Sequence, residues 1–126
     1  MGARKAKILF ADDAPELSRR LAELLSDLPV EIVATAEDGS EALRLFAETE
    51  PDIAIIDMQM PKKSGLTVVS DVRKRGSKAL VILLTNLDSP EFFTRAIRAG
   101  ADHFLSKRTQ FLQVRTIVED YLRAGP

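Results

Sequence analysis

The order of apolar segments along the chain restricts the fold more than any other feature of the sequence. Short continuous runs rich in Ile, Val and Leu occupy residues 8–11, 32–36, 53–56 and 79–84, with a weaker fifth run at 102–105. Runs of this length and composition predict strands buried on both faces. A segment with helical spacing follows each run, so the pattern predicts a β-α unit repeated five times.

The helical segments are marked by apolar residues three or four positions apart. We expect the inward faces to be Leu17, Leu21, Leu24 and Leu28; Ala42, Leu45 and Phe46; Leu66, Val69 and Val72; Phe93, Ala96 and Ile97; and Val114, Ile117, Val118 and Tyr121. Ser89 before Pro90 predicts the start of the fourth helix, and Thr109 is the expected cap of the fifth. Phe92 and Phe93 are adjacent and cannot both face the core. One ring is therefore either partly exposed or flat over the helix end.

Strands joined by helices should be parallel and form one sheet. The 126 residues are about half of what a closed eight-fold barrel needs. We therefore expect an open α/β sandwich of three layers, with residues 1–126 forming a single domain. Ligands of such sheets bind outside the carboxyl ends of the strands, which is where chemistry is expected.

Composition limits the partners and the metals. With 18 basic and 19 acidic residues the net charge is -1, which gives no electrostatic reason to expect nucleic acid or anionic lipid as a partner. The chain has no Cys and one His, so a metal site must use oxygen ligands, which favours Mg²⁺. Neither a secretory signal nor an apolar run of about 20 residues is present, so we expect a cytoplasmic protein.

Polar residues stand where four of the predicted strands end: Asp12 and Asp13, Asp57, Thr85, and Lys107. Taken singly, each has an ordinary explanation as a helix cap, a β-branched strand residue or a solvated charge. Together, three carboxylates at one edge need a cation to neutralise them. With Mg²⁺ bound, one Asp57 oxygen could attack phosphorus while the ammonium and the hydroxyl bind phosphoryl oxygens. The set therefore predicts an acyl phosphate on Asp57.

The sequence resembles receiver domains of two-component response regulators over residues 6–122. The resemblance rests on ILFADDAPELSRRLAELL, PDIAIIDMQMPKKSGL, VILLTN and AGADHFLSKR. It implies a flavodoxin-like (βα)5 fold with strand order 2-1-3-4-5. It also implies that Asp57 is the phosphoacceptor and that Asp13 binds Mg²⁺ directly, with Asp12 assisting through water or hydrogen bonds. The backbone carbonyl of Gln59 would complete the metal contacts.

In the same family, Lys107 and Thr85 would bind the phosphoryl group, and Phe104 would be the aromatic residue whose rotamer follows Thr85. The face formed by the fourth helix, fifth strand and fifth helix would then shift. The sequence departs from the family in two respects. Arg108 stands where proline is usual. Gln59 and Leu87 stand at the two positions that flank the path of the hydrolytic water, and the apolar side chain of Leu87 is expected to lengthen the phosphorylated lifetime.

The resemblance implies a non-enzymatic switch that assists its own phosphorylation and dephosphorylation. The phosphodonor would be a histidine kinase or a histidine phosphotransfer protein, and a downstream protein would be bound after phosphorylation. Phosphotransfer onward to a histidine phosphotransfer protein, a role as the receiver part of a longer transcription regulator, and phosphorylation-dependent dimerisation stay open. A Mg²⁺-dependent phosphatase is disfavoured because Gln59 replaces its second Asp, and a degenerate receiver is disfavoured by the intact polar set.

Overall fold

The computed structural model describes residues 5–86 and 90–125 and contains a five-stranded parallel sheet with helices on both sides. The strands are β1 (Ala6–Ala11), β2 (Val30–Ala36), β3 (Ile53–Asp57), β4 (Leu80–Thr85) and β5 (His103–Ser106). The helices are α1 (Pro15–Leu24), α2 (Gly39–Thr49), α3 (Gly65–Lys74), α4 (Pro90–Ala99) and α5 (Gln113–Ala124). The order across the sheet is β2-β1-β3-β4-β5, so the predicted flavodoxin-like fold and strand order are confirmed.

Alternation along the strands divides the interior into two layers, because successive side chains of a strand point to opposite faces. In β1, Ile8 and Phe10 pack with α1 and α5, whereas Leu9 and Ala11 pack with α2, α3 and α4. β3 and β4 divide their residues in the same way. These central strands are therefore buried on both faces, as the continuous apolar runs predict.

The second strand departs from that prediction. Among the described strands β2 pairs only with β1, and Glu31, Ile32 and Thr35 are exposed, Ile32 by 37%. An edge strand lacks the neighbour that would cover its outer side. The prediction of a doubly buried strand was therefore wrong here, because an apolar run does not show which strand lies at the edge.

The first helix is shorter than the Leu spacing predicts. It ends at Leu24, and Leu28 lies in the turn that follows, whereas Leu25 is fully buried. The N–H of Leu25 still donates to the carbonyl of Leu21, but Pro29 disfavours helical backbone at Leu28. Leu28, which the spacing predicts on the inward face of the helix, is therefore not part of the helix.

Two apolar residues of α4 face outward rather than inward. Phe93 is 53% exposed and Ile97 is 44% exposed, and only Ala96 is fully buried in this helix. The small side chain of Ala96 lets α4 lie close to the sheet, and Phe93 turns instead toward Phe104 of the edge strand β5. The expectation that Phe93 and Ile97 face the core was wrong. Phe93 is the exposed ring of the Phe92–Phe93 pair, and the predicted cap at Ser89 lies outside the described residues.

The last helix begins later than expected, at Gln113, and no side chain caps it at Leu112. Thr109 instead belongs to the preceding turn, where its N–H donates to Ser106 Oγ at 3.4 Å. The predicted cap at Thr109 was therefore wrong, because residues 107–112 form turns between the end of β5 and the start of the helix at Gln113. No helix among the described residues has the length and apolar character needed to cross a membrane.

Candidate functional site

The carboxyl ends of the strands bring the predicted acidic residues together. Carboxylate oxygens of Asp12, Asp13 and Asp57 lie within 4.8 Å of one another. Asp12 and Asp13 follow β1, and Asp57 ends the neighbouring β3. Adjacency of these two parallel strands therefore explains why Asp57 joins an acidic pair that precedes it by 44 and 45 positions in the chain.

Asp12 is buried and held on both carboxylate oxygens. Its Oδ1 accepts a hydrogen bond from the N–H of Ala14 at 2.6 Å, and its Oδ2 lies 2.9 Å from Lys107 Nζ. The backbone N–H of Asp12 donates to the carbonyl of Ala36, which continues the β1–β2 pairing by one residue. The start of α1 is thereby tied to the site.

Asp57 is 5% exposed and has two partners. The N–H of Gln59 donates to its Oδ1 at 3.1 Å, and Lys107 Nζ lies 3.1 Å from its Oδ2. Burial raises the pKa of the Asp57 carboxyl above its ordinary value, and the contacts with Gln59 and Lys107 offset only part of that effect. The nearby negative charge of Asp12 acts in the same direction as burial.

Lys107 bridges the two buried carboxylates and is itself mostly buried. Burial acts to lower the pKa of the ammonium, but the hydrogen bonds and charges of Asp12 and Asp57 outweigh it and raise the pKa. Its backbone N–H donates to the carbonyl of Thr85 at 2.8 Å, next to the Thr85–Ser106 register pair. The end of β4 therefore sets the position from which Lys107 reaches the carboxylates.

The remaining predicted site residues lie around this core. Asp13 is exposed, and no hydrogen bond or ion pair engages its carboxylate within residues 5–86 and 90–125. Thr85 is buried at the end of β4, and Gln59 is exposed in the loop after β3. The structure thus brings Asp12, Asp13, Asp57 and Lys107 into contact distance, with Thr85 and Gln59 adjacent along the backbone.

The charges at the site suit a divalent cation. With all four groups ionised, three carboxylates face a single ammonium, which leaves an excess of two negative charges in a partly buried place. Oxygen donors of this kind are the ligands that Mg²⁺ prefers, and Asp13 has its carboxylate available. The residues present therefore fit the metal that the sequence predicts.

A close backbone approach next to Asp57 was not identified from the sequence. A Cβ on Gly65 would lie 2.5 Å from the carbonyl oxygen of Asp57, and the Gly65 N–H donates to the carbonyl of Met58. Ser64 caps α3 by accepting from the N–H of Thr67. The SG pair in the quoted motif was the available signal, since glycine is the residue that permits such an approach.

Arg108 has a structural explanation in the turn after β5. The Lys107–Arg108 peptide bond is trans, and the Arg108 N–H donates to Ser106 Oγ at 3.3 Å. Proline has no N–H and could not make this bond. Gln110 closes the same turn through its N–H and its side-chain oxygen, both bonded to the backbone of Ser106. Leu87 lies outside the described residues, so its predicted effect on hydrolysis stays a prediction.

Phe104 connects the site region to the outer surface. It is half-buried on β5, and its ring centroid lies 6.2 Å from that of Phe93 on α4, in an edge-on arrangement. Its neighbour across the sheet is Leu83, two residues before Thr85. Phe104 therefore lies on the strand next to the one that carries Thr85, and its ring contacts the exposed Phe93 of α4.

The family model described as the response regulator receiver domain matches residues 8–119. The chain therefore belongs to the response regulator receiver family, whose members are phosphoacceptor switches in two-component signalling. The chain is 30% identical over 118 residues to the chemotaxis protein CheY of Halobacterium salinarum, covering 94% of this chain and 98% of that relative.

Other relatives are longer. The transcriptional regulatory protein YvfU of Bacillus subtilis is 36% identical over 102 residues, which cover 80% of this chain and 51% of that protein. Among solved structures, the receiver domain of NarL from Mycobacterium tuberculosis superposes with a TM-score of 0.87 at 30% identity, covering 94% of this chain and 96% of that one. This chain thus spans about half of some curated relatives and nearly all of others.

Proposed function

We propose that this chain is a phosphoacceptor switch in which Asp57 is phosphorylated, with Mg²⁺ required, by a histidine kinase or a histidine phosphotransfer protein. The observation that carries the proposal is the placement of Lys107 between the Asp57 and Asp12 carboxylates, with Asp13 beside them. Residues 1–126 act in this proposal as one receiver domain.

The role proposed for each residue is supported by its place in the site and by the resemblance to the family. An oxygen of Asp57 attacks the phosphorus of a phosphohistidine; the new O–P bond forms as the N–P bond breaks, and its electron pair stays on the imidazole nitrogen. Lys107, released from part of its pairing with Asp57, stabilises the negative phosphoryl oxygens, as does the hydroxyl of Thr85. Bound Mg²⁺ would supply further charge neutralisation at the phosphoryl group, held by Asp13, Asp57 and the Gln59 carbonyl, with Asp12 assisting.

Intact mass after incubation with acetyl phosphate tests this assignment. We expect one added phosphoryl group in the presence of Mg²⁺, and none in Asp57→Asn or with EDTA. Asp120→Asn is the matched control, because it removes an exposed carboxylate on α5 far from the cluster. An adduct that persists in Asp57→Asn, or no adduct with acetyl phosphate and with a purified histidine kinase, would exclude the proposed role.

The proposed output is a change in the surface formed by α4, β5 and α5. Its support is the contact between Phe104 and the exposed Phe93, which joins the strands at the site to that surface. A second proposed role is that of the receiver part of a longer transcription regulator, because relatives such as YvfU are about twice as long as the matched region. Incubating the phosphorylated protein with a histidine phosphotransfer protein distinguishes relay from switching, because a relay transfers the group and a switch retains it.

A further inference from the structure

A second charged region lies between α3 and α4, away from the carboxylate cluster. The two helices border a groove with a volume of about 390 Å³. Lys74 of α3 and Arg95 and Arg98 of α4 line it, over partly apolar walls that include Leu66 and Ala99. Cations from two helices thus converge on one concave surface.

These three cations are not neutralised by the protein. All three are exposed, and none forms an ion pair within the part of the chain that the structure describes. Arg95 only stacks over Phe92 of its own helix, at 5.7 Å from the ring centroid. Among the described residues that line the groove, Asp71 is the one carboxylate, and it lies 3.6 Å from Lys63. A chain with a net charge of -1 therefore presents a local excess of positive charge here.

We propose that this α3–α4 groove docks an acidic segment of a partner protein. The groove uses the side of α4 that carries Arg95 and Arg98, whereas the output surface proposed above uses the side that carries Phe93. Arg95 and Arg98 stand one helical turn apart and face Lys74 across the groove, so carboxylates spaced three or four positions along a partner helix match them. The apolar walls accept the methylene or methyl groups between those carboxylates.

Other anionic partners fit this surface less well. Duplex nucleic acid is usually held by several phosphate contacts along an extended stripe, and three cations in one groove are few for that. A membrane surface favours cations beside apolar side chains that insert together. Helical spacing places Phe93 and Ile97 on the side of α4 opposite Arg95 and Arg98, so both sets cannot face one lipid plane.

The test uses the full chain and a fluorescein-labelled helical peptide of about 20 residues, mostly Ala with Glu every third or fourth position. Anisotropy at low salt should show saturable binding, and amide shifts in ¹⁵N spectra should cluster on α3 and α4. The variant K74Q/R95Q/R98Q should bind about tenfold or more weakly. Its matched control, R19Q/R44Q/R123Q, removes three exposed cations from α1, α2 and α5 and should change affinity less than about twofold.

Several results would overturn the proposal. One is the absence of saturable peptide binding. Another is an equal loss of affinity in the two triple variants, and a third is amide shifts that lie outside α3 and α4. Tighter binding of a DNA duplex or of phosphatidylserine vesicles through the same three residues would assign the groove to another partner class. Thermal unfolding verifies that each variant is folded. Phosphorylation by acetyl phosphate should persist in the groove variant, which separates failure of this proposal from failure of the proposed function.

Discussion

At the scale of single residues, the buried carboxylate of Asp57 opposes folding at neutral pH. Its pKa is raised by burial, so the folded state binds the proton more tightly than the unfolded chain does. Stability from this group is therefore highest below the unfolded pKa of about 3.8 and is lost as pH rises through the raised folded value. A cost in stability of this kind is expected of a residue with the chemical role proposed for Asp57.

Asp57→Asn should therefore stabilise the fold without metal. Lys107 keeps Asp12 as its partner in this variant, so no buried charge is left alone. We expect the free energy of unfolding at pH 7 in EDTA to rise by about 1 kcal/mol. The gain over wild type, measured by urea denaturation, should shrink as the pH is lowered toward 4. A loss of stability at pH 7, or a gain independent of pH, would contradict the raised pKa.

Binding of Mg²⁺ should also stabilise the fold of the wild type. A ligand that binds only the folded state raises the free energy of unfolding by about 2.7 kcal/mol when its concentration is a hundred times its Kd. The Tm of the wild type should therefore rise with the logarithm of the MgCl₂ concentration. Asp13→Asn should weaken this increase, because the Asp13 carboxylate is the available ligand. Asp120→Asn is the suitable control, because it removes an exposed carboxylate on α5. Asp102→Asn is not suitable, because the Asp102 carboxylate accepts hydrogen bonds from Arg73 and from the N–H of Val81. An equal Mg²⁺ response in Asp13→Asn would remove that residue from the metal site.

The grouping of Asp12, Asp13, Asp57 and Lys107 could be predicted because strand ends in a parallel sheet meet at one edge, whatever their distance in sequence. The sequence did not indicate that Lys107 holds both Asp12 and Asp57, nor that Ser106 organises the turn before α5. These contacts depend on side-chain direction and on the path of a short turn. Strand spacing specifies neither of them.

At the scale of elements, Arg73 fixes how α3, α4 and β5 pack. Its guanidinium donates to the carbonyls of Gly100, Ser77 and Ala79 and pairs with Asp102 at 3.0 Å. The carboxylate of Asp102 in turn accepts from the N–H of Val81 in β4. One side chain therefore holds the C-terminal ends of two helices against the start of two strands.

Arg73→Met should destabilise the protein by about 2–4 kcal/mol, because it keeps the length of the side chain but leaves several backbone carbonyls without donors. Urea denaturation measures the loss. Lys74→Met is the matched control: it is the next residue, is exposed and has no ion pair within the described residues, and it should change stability by less than about 0.5 kcal/mol. Comparable losses of stability in the two variants would show that the contacts of Arg73 do not hold these elements together.

Helix faces were harder to predict than helices. Periodicity identified every helix, yet Phe93 and Ile97 are exposed although their spacing is that of a core face. Periodicity shows which residues lie on one face of a helix, but it does not show whether another part of the protein packs against that face. Beyond the short edge strand β5, the opposing surface is incomplete, so apolar residues remain exposed where a partner is proposed to bind.

At the scale of the whole molecule, the proposed switch requires that a change at Asp57 reach α4. The sheet edge places Thr85 next to the site, and Phe104 lies on the neighbouring strand with its ring against Phe93. In the proposed switch, the ring contact between Phe104 and Phe93 would join the site to the surface of α4. Coupling of this kind requires an element with two arrangements, and the half-buried ring of Phe104 is the candidate.

Phe104→Leu should separate phosphorylation from its output. Leu retains most of the buried apolar volume but cannot form the edge-on ring contact with Phe93, so Asp57 should still accept the phosphoryl group. Amide shifts in α4, β5 and α5 caused by beryllofluoride with Mg²⁺ should become smaller in this variant, whereas shifts around Asp12 and Asp57 should persist. Phe92→Leu is the matched control, because its ring lies under Arg95 on another side of the same helix. If Phe104→Leu leaves the α4 shifts intact, the signal leaves the site by a route that does not involve this ring.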